Sequence, residues 1–227
     1  MRTRLPLALL LISAVLCSAE VVDRMVAVVN RQVILQSEVE QAARVEFLLN
    51  GKPLDQLNQD ALKATLERLI DQDLLEQQII TATQLDASPA ELAARLHEVR
   101  AQIPGATDDQ TWKAMLATYG LTEQDVAAQL DSQIRILRFV DLRFRGLVRV
   151  DRTAITIYYQ ETLVPELRKR GADIPPMDQV SDKIRQILVE QRIDGLLNTW
   201  LQTLRAQGHI ERMMDSNPAA HAASGTK

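Results

Sequence analysis

Apolar positions recur every three or four residues through most of the chain, a spacing that predicts helices nearly throughout. The stretch 60–84, DALKATLERLIDQDLLEQQIITATQ, has no Gly or Pro and is rich in Leu, Ala, Glu and Gln, residues that favour helix. Leu62, Leu66, Leu69 and Ile70 form one stripe at helical spacing, while Leu74, Leu75 and Ile79 leave it and spread around the far side. A surface helix shows a single apolar stripe, so this spread predicts neighbours on several sides. Segment 60–84 is therefore expected to be the central helix.

The segments before it are shorter. Residues 21–29, VVDRMVAVV, are mostly β-branched and predict a strand, 30–32 a turn, and 33–35 a return strand. Ser37 with Glu40 three positions later carries a capping-box pattern, and the helix it opens stops at Asn50-Gly51 with Pro53 beyond. A polar loop over 54–59 leads into the central helix.

Beyond it, Ser88, Pro89 and Glu91 mark a helix start, and Pro104-Gly105 its end. Thr107 or Asp108 caps the next helix, where Trp112, Met115, Leu116 and Tyr119 share a face and Gly120 terminates. Thr122 with Asp125 opens a long helix to about Val148. Its expected buried stripe is Val126, Leu130, Leu137, Val140, Phe144 and Val148, opposite Arg135, Arg138, Arg145 and Arg149. That basic side reads as a solvated face paired with local acids, or else as a contact face for a partner.

Asp151 restarts a helix with Ile155, Tyr158, Tyr159 and Leu163, although TAITIYY is strand-like in composition. Residues 168–176 carry Gly171, Pro175, Pro176 and several charges, and read as a linker. The last long helix, 178–207, changes face midway. Val180, Ile184, Ile187 and Leu188 lie on one side, and Ile193, Leu196, Leu197, Trp200 and Leu204 on another. It is expected to touch two surfaces or to bend near 190–195. Residues 210–214 predict a short strand able to pair with 21–29, and 215–227 a small, polar, disordered tail.

The first residues read as an address. Arg2 and Arg4 precede a short apolar run, and Ser18-Ala19 supplies small residues, which predicts a secretory signal over 1–19 cleaved before Glu20. Cys17 offers a rival, lipidation, but Leu16 stands where a small residue is wanted. After cleavage the chain would hold no Cys, hence neither a disulfide nor a nucleophilic thiol, and no integral membrane segment is expected.

Composition is globular, 46% hydrophobic and 25% charged, with 4% aromatic residues and 8 Gly in all, which fits many helices and few strands. The whole chain has a net charge of −4; without residues 1–19, which hold two arginines and no acid, it is −6. An acidic chain is a poor partner for nucleic acid, and none is expected.

Enzyme signatures are not found. His97, His209 and His221 are scattered, with no paired spacing for zinc. No nucleophile elbow, phosphate-binding loop or dinucleotide fingerprint occurs. The carboxylates lie on helices beside Lys and Arg and read as solvated faces. No cofactor, metal or catalytic residue is assigned. Trp112, Met115 and Tyr119 could line a binding groove, though the same spacing is also that of a core stripe; Trp200 reads as core.

Four segments together resemble the SurA family of periplasmic chaperones. Residues 21–40, VVDRMVAVVNRQVILQSEVE, resemble that family's opening strand, turn and V-I-L-x-S run. Residues 66–79, LERLIDQDLLEQQI, resemble its next helix; 112–125, WKAMLATYGLTEQD, resemble a Leu-rich helix, Gly-Leu stop and new start; and 155–159 resemble an I-x-x-Y-Y helix. The last long helix is also similar to the family's C-terminal helix.

The resemblance implies a mainly α fold: a multi-helix chaperone lobe with a small β element from the hairpin and a C-terminal strand. It divides the chain into a chaperone domain over 20–165, a linker over 166–177 and a returning helix and strand over 178–214. In the family, parvulin-type prolyl isomerase domains are inserted between lobe and returning helix; here only the linker stands there, so isomerase activity is not carried over. The function implied is a periplasmic holdase for unfolded envelope or outer-membrane proteins. Client contact is expected between the helices of 89–119 and the returning helix, at Trp112, Met115 and Tyr119. A homodimer is compatible with the sequence. The alternatives are a parvulin-related isomerase and an adaptor subunit of an envelope complex.

Overall fold

The computed structural model describes residues 23–79 and 85–213. The expected signal, Cys17, the end of the central helix beyond Ile79, Met214 and the tail over 215–227 lie outside the described residues.

Strands β1 (Met25–Val29) and β2 (Gln32–Leu35) form the predicted antiparallel hairpin. Asn30 turns it with a φ of 58°, a left-handed conformation that Asn tolerates. Helix α1 (Gln36–Leu49) follows without a break. Its start differs from the Ser37–Glu40 box: the carboxylate of Glu38 accepts the Leu35 N–H at 2.7 Å, and the Ser37 hydroxyl donates instead to Asp23. The strand runs straight into the helix, so the cap falls two residues earlier.

Helix α2 (Gln59–Ile79) is central, as its apolar spread predicts. It packs against β1, α1, α5 and α8. Leu66, Ile70 and Leu74 meet Val26, Val29, Ile34 and Val39 in a core under the sheet. Helices α3 (Pro89–Gln102), α4 (Asp109–Tyr119) and α5 (Glu123–Phe144) build a second core with the end of α1. Their caps are those read from sequence. Ser88 Oγ accepts from Glu91 N–H, Asp108 from Thr111 N–H, and Thr122 and Asp125 complete a capping box. Gly120 ends α4 at a φ of 62°.

Leu137 is a correction. It was expected in the buried stripe of α5 and is 68% exposed. Val126 and Leu130 belong to the α1–α4 core, whereas Val140 and Phe144 pack with Val148 and Ile193 in a third. The helix changes partners between these turns, and Leu137 falls in the step.

Helix α6 (Arg152–Tyr158), a π-turn over Tyr159–Leu163 and α7 (Val164–Lys169) make one rod, so residues 170–176 alone connect to α8 (Met177–Gln207). The Tyr159 hydroxyl donates to Pro175 O at 2.8 Å and fastens that connection. Helix α8 is unbroken through Gly195 and packs on α6, α5 and α2; its shifting apolar face serves different neighbours, as expected.

The chain then closes on itself. Strand β3 (Ile210–Arg212) pairs antiparallel with β1, giving the order β2-β1-β3. Glu67 of α2 accepts from Arg212 of β3 at 2.6 Å and from Arg205 of α8 at 2.8 Å, and Arg205 also binds Asp71 at 2.6 Å. These charge-assisted bonds hold the Glu67 carboxyl down at about 2. Gly208 lets α8 reach the sheet: a Cβ there would stand 3.0 Å from Leu204 O and 3.3 Å from a Leu74 methyl.

Candidate functional site

Two surface features stand out, an apolar seam and a polar cavity. The seam lies where α5 meets α8. The Trp200 ring sits 5.8 Å from Phe139 and 5.7 Å, edge-on, from Phe144. The Arg143 guanidinium lies 4.2 Å from the Trp200 centroid, a cation–π distance. Phe144 is buried, Phe139 and Trp200 are half-buried, and Arg143 is exposed.

Helical spacing extends this cluster to solvent. Leu142 is one turn from Phe139 and is 73% exposed; Leu196 is one turn from Trp200 and is 38% exposed. Leu147, in the 3₁₀ turn ending α5, is 70% exposed. Large apolar groups next to half-buried aromatics and an arginine are the composition of a contact surface. The sequence carried one sign of it, because Leu142 interrupts the stripe of Arg138 and Arg145.

Those arginines are anchored. Arg135 pairs with Asp131 at 3.3 Å and Arg145 with Asp141. Arg138 pairs with Glu91 on α3 and donates to the carbonyls of Leu85 and Asp86 at 3.1 and 2.7 Å. The local-acid reading holds for two; Arg138 is instead a tie between helices.

The predicted contact residues gather on one core and differ in exposure. Trp112 is 1% exposed in the second core, its Nε1–H donating to Glu123 at 2.7 Å with Arg100 stacked 5.4 Å from its ring. Met115 and Tyr119 are half-buried against that core, and the Tyr119 hydroxyl donates to Lys52 O at 2.7 Å. The main contacts of α8 are with α2, α5 and α6.

The cavity, of about 740 Å³, lies between the hairpin turn, the C-terminal half of α2 and α5. Asn30, Gln32, Asp73, Glu76, Asp86 and Arg135 are among its lining residues. Glu76 accepts from Ser132 and Gln72, and Gln72 also reaches Ser132 at 2.8 Å. Burial pushes the Asp73 carboxyl up to about 6, with repulsion from Glu76 and Glu38 adding to it. Arg135 Nε is buried without an acceptor among the described residues.

No catalytic constellation accompanies these features among the described residues, and no three potential ligand side chains gather there for a metal. His97 is exposed, and the His209 ring meets Glu211 at 2.7 Å; His221 lies outside the described residues. No described helix is long and apolar enough to cross a membrane.

A family model described as the SurA-like N-terminal domain matches residues 5–140. The match runs through the hairpin and most of α5; α6, α7, α8 and β3 lie beyond it. No curated protein matches the sequence.

Proposed function

The chain belongs to the family of SurA-like N-terminal domains, a chaperone-type module of periplasmic proteins, and from that premise we propose that it is a periplasmic holdase. It keeps unfolded envelope or outer-membrane proteins from aggregating and has no prolyl isomerase activity. The feature that supports this reading is the α5–α8 seam of Phe139, Trp200 and Arg143, with the exposed Leu142 and Leu196 each one helical turn from one of its two rings. Unfolded clients share apolar segments rather than one sequence, so a holdase needs accessible apolar area of adaptable shape. Met115 and Tyr119 on α4 form a smaller second contact, with Trp112 fixing the helix beneath them.

The holding activity is tested by light scattering of an unfolded outer-membrane protein diluted from denaturant. Scattering falls with stoichiometric amounts of this chain; unchanged scattering in low and moderate salt contradicts the reading and favours an adaptor subunit. Proline-limited refolding, which takes tens of seconds or longer uncatalysed, keeps its uncatalysed rate; acceleration abolished by a single substitution contradicts the absence of isomerase activity. Export is tested by the intact mass of the secreted protein, expected to match residues 20–227. A lipid on Cys17 contradicts cleavage before Glu20.

A further inference from the structure

Among the described residues β2 pairs on one side only, with β1. Its four residues, Gln32–Leu35, include no charge and no proline, the usual blocks on an open edge. Val33 is 47% exposed. An edge of this kind accepts an added strand through main-chain hydrogen bonds. The cavity begins at the same place, because Gln32 belongs to both.

Charge sets what can enter. Asp73, Glu76 and Asp86 line the cavity, against Arg31 and Arg135; Arg135 pairs with Asp131 through one terminal nitrogen, while its Nε lacks an acceptor among the described residues. Asp73 forms no ion pair among the described residues. Burial is the main disadvantage to its ionised form, and the charges that add to it, Glu76 on its own helix and Glu38 on α1, are both negative. A side chain with a cationic end would relieve that repulsion and fill a space open among the described residues.

We propose that the outer edge of β2 and the adjoining cavity dock an extended polypeptide segment, with a lysine or arginine side chain of that segment entering the cavity towards Asp73. This rests on the holdase reading and names a client feature beyond apolarity: a basic residue within an extended run. The seam then supplies unspecific apolar contact, and the edge supplies register.

The probe is a short fluorescein-labelled peptide of alternating threonine and valine with one central lysine. It is compared with versions carrying norleucine or glutamate there, and with one N-methylated at alternate residues. Fluorescence anisotropy is expected to show the lysine peptide binding roughly tenfold tighter than the glutamate peptide, the size of one desolvated charge contact. Asp73→Asn removes the preference, the distant Asp178→Asn keeps it, and N-methylation abolishes binding. Thermal melting of Asp73→Asn confirms that the variant is folded. Equal binding of lysine and glutamate peptides, a preference that survives Asp73→Asn, or undiminished binding of the N-methylated peptide overturns the proposal. Aggregation suppression by the unsubstituted chain is read separately. If it persists while the lysine preference is missing, the docking site falls and the holdase stands. If it is absent while Asp73 governs peptide binding, the docking site stands and the holdase falls.

Discussion

Trp200 of α8 lies against Phe139 of α5, their ring centroids 5.8 Å apart. This contact joins the family-matched part of the chain to a helix beyond the match. One helical turn from each ring an exposed leucine follows, Leu142 on α5 and Leu196 on α8.

Truncating the joint should loosen it measurably. Trp200→Ala is expected to cost about 2 kcal/mol in urea denaturation, less than for a fully buried ring because Trp200 is half exposed. Arg143→Ala should cost about 0.5 kcal/mol, the size of an exposed cation–π contact. No loss from Trp200→Ala would mean that α8 is peripheral.

Closure of the sheet depends on Glu67. Its carboxyl is held at about 2, so the stability it contributes is present above the unfolded value near 4.5 and is lost as pH falls through about 2. Solvent screens these mostly exposed pairs, so Glu67→Gln should cost about 1 kcal/mol at pH 7 and little at pH 2. Hydrogen exchange should quicken first in β3, which Arg212 ties to Glu67.

Asp73 has the opposite sign. Its folded value near 6 lies above the ordinary 3.8, so its contribution is full below 3.8 and is lost as pH rises through about 6. Asp73→Asn should stabilise the protein at pH 8 by about 1 kcal/mol, after screening at the half-exposed carboxylate. At pH 3.5 it should change little. Destabilisation at pH 8 would mean that the ionised carboxylate has a partner.

Gly208→Ala should destabilise by about 1 kcal/mol, the size of a mild overpacking, because the added methyl meets Leu204 O and Leu74. A neutral result would show that the approach of α8 to the sheet adjusts freely.

Most of the fold was legible in local chemistry. Ser88, Asp108, Gly120 and Thr122 act on their own neighbours, so their patterns marked helix ends directly. The many-sided apolar spread of 60–79 announced a central helix, and the face change in 178–207 announced a helix with several neighbours. Leu137 and Trp112 show where the reading stopped. Periodicity says which residues share a face, not which neighbour covers it. Leu137 shares a face with Val140 yet lies between two cores, and Trp112 shares one with Met115 yet is sealed beneath Arg100. The seam depends on Phe139 and Trp200, which are 61 positions apart and meet only when the chain closes. The cavity likewise joins Asn30 to Arg135.

The most direct test of the account is aggregation suppression by the double variant Leu142→Ser, Leu196→Ser. Leu142 is 73% and Leu196 38% exposed, so the variant should stay folded at a cost of about 1–2 kcal/mol, which urea denaturation checks. The account predicts that this folded variant largely loses the ability to suppress scattering of a diluted outer-membrane protein, while Met115→Ser retains most of it. Full suppression by the folded double variant would contradict the seam as the holding surface.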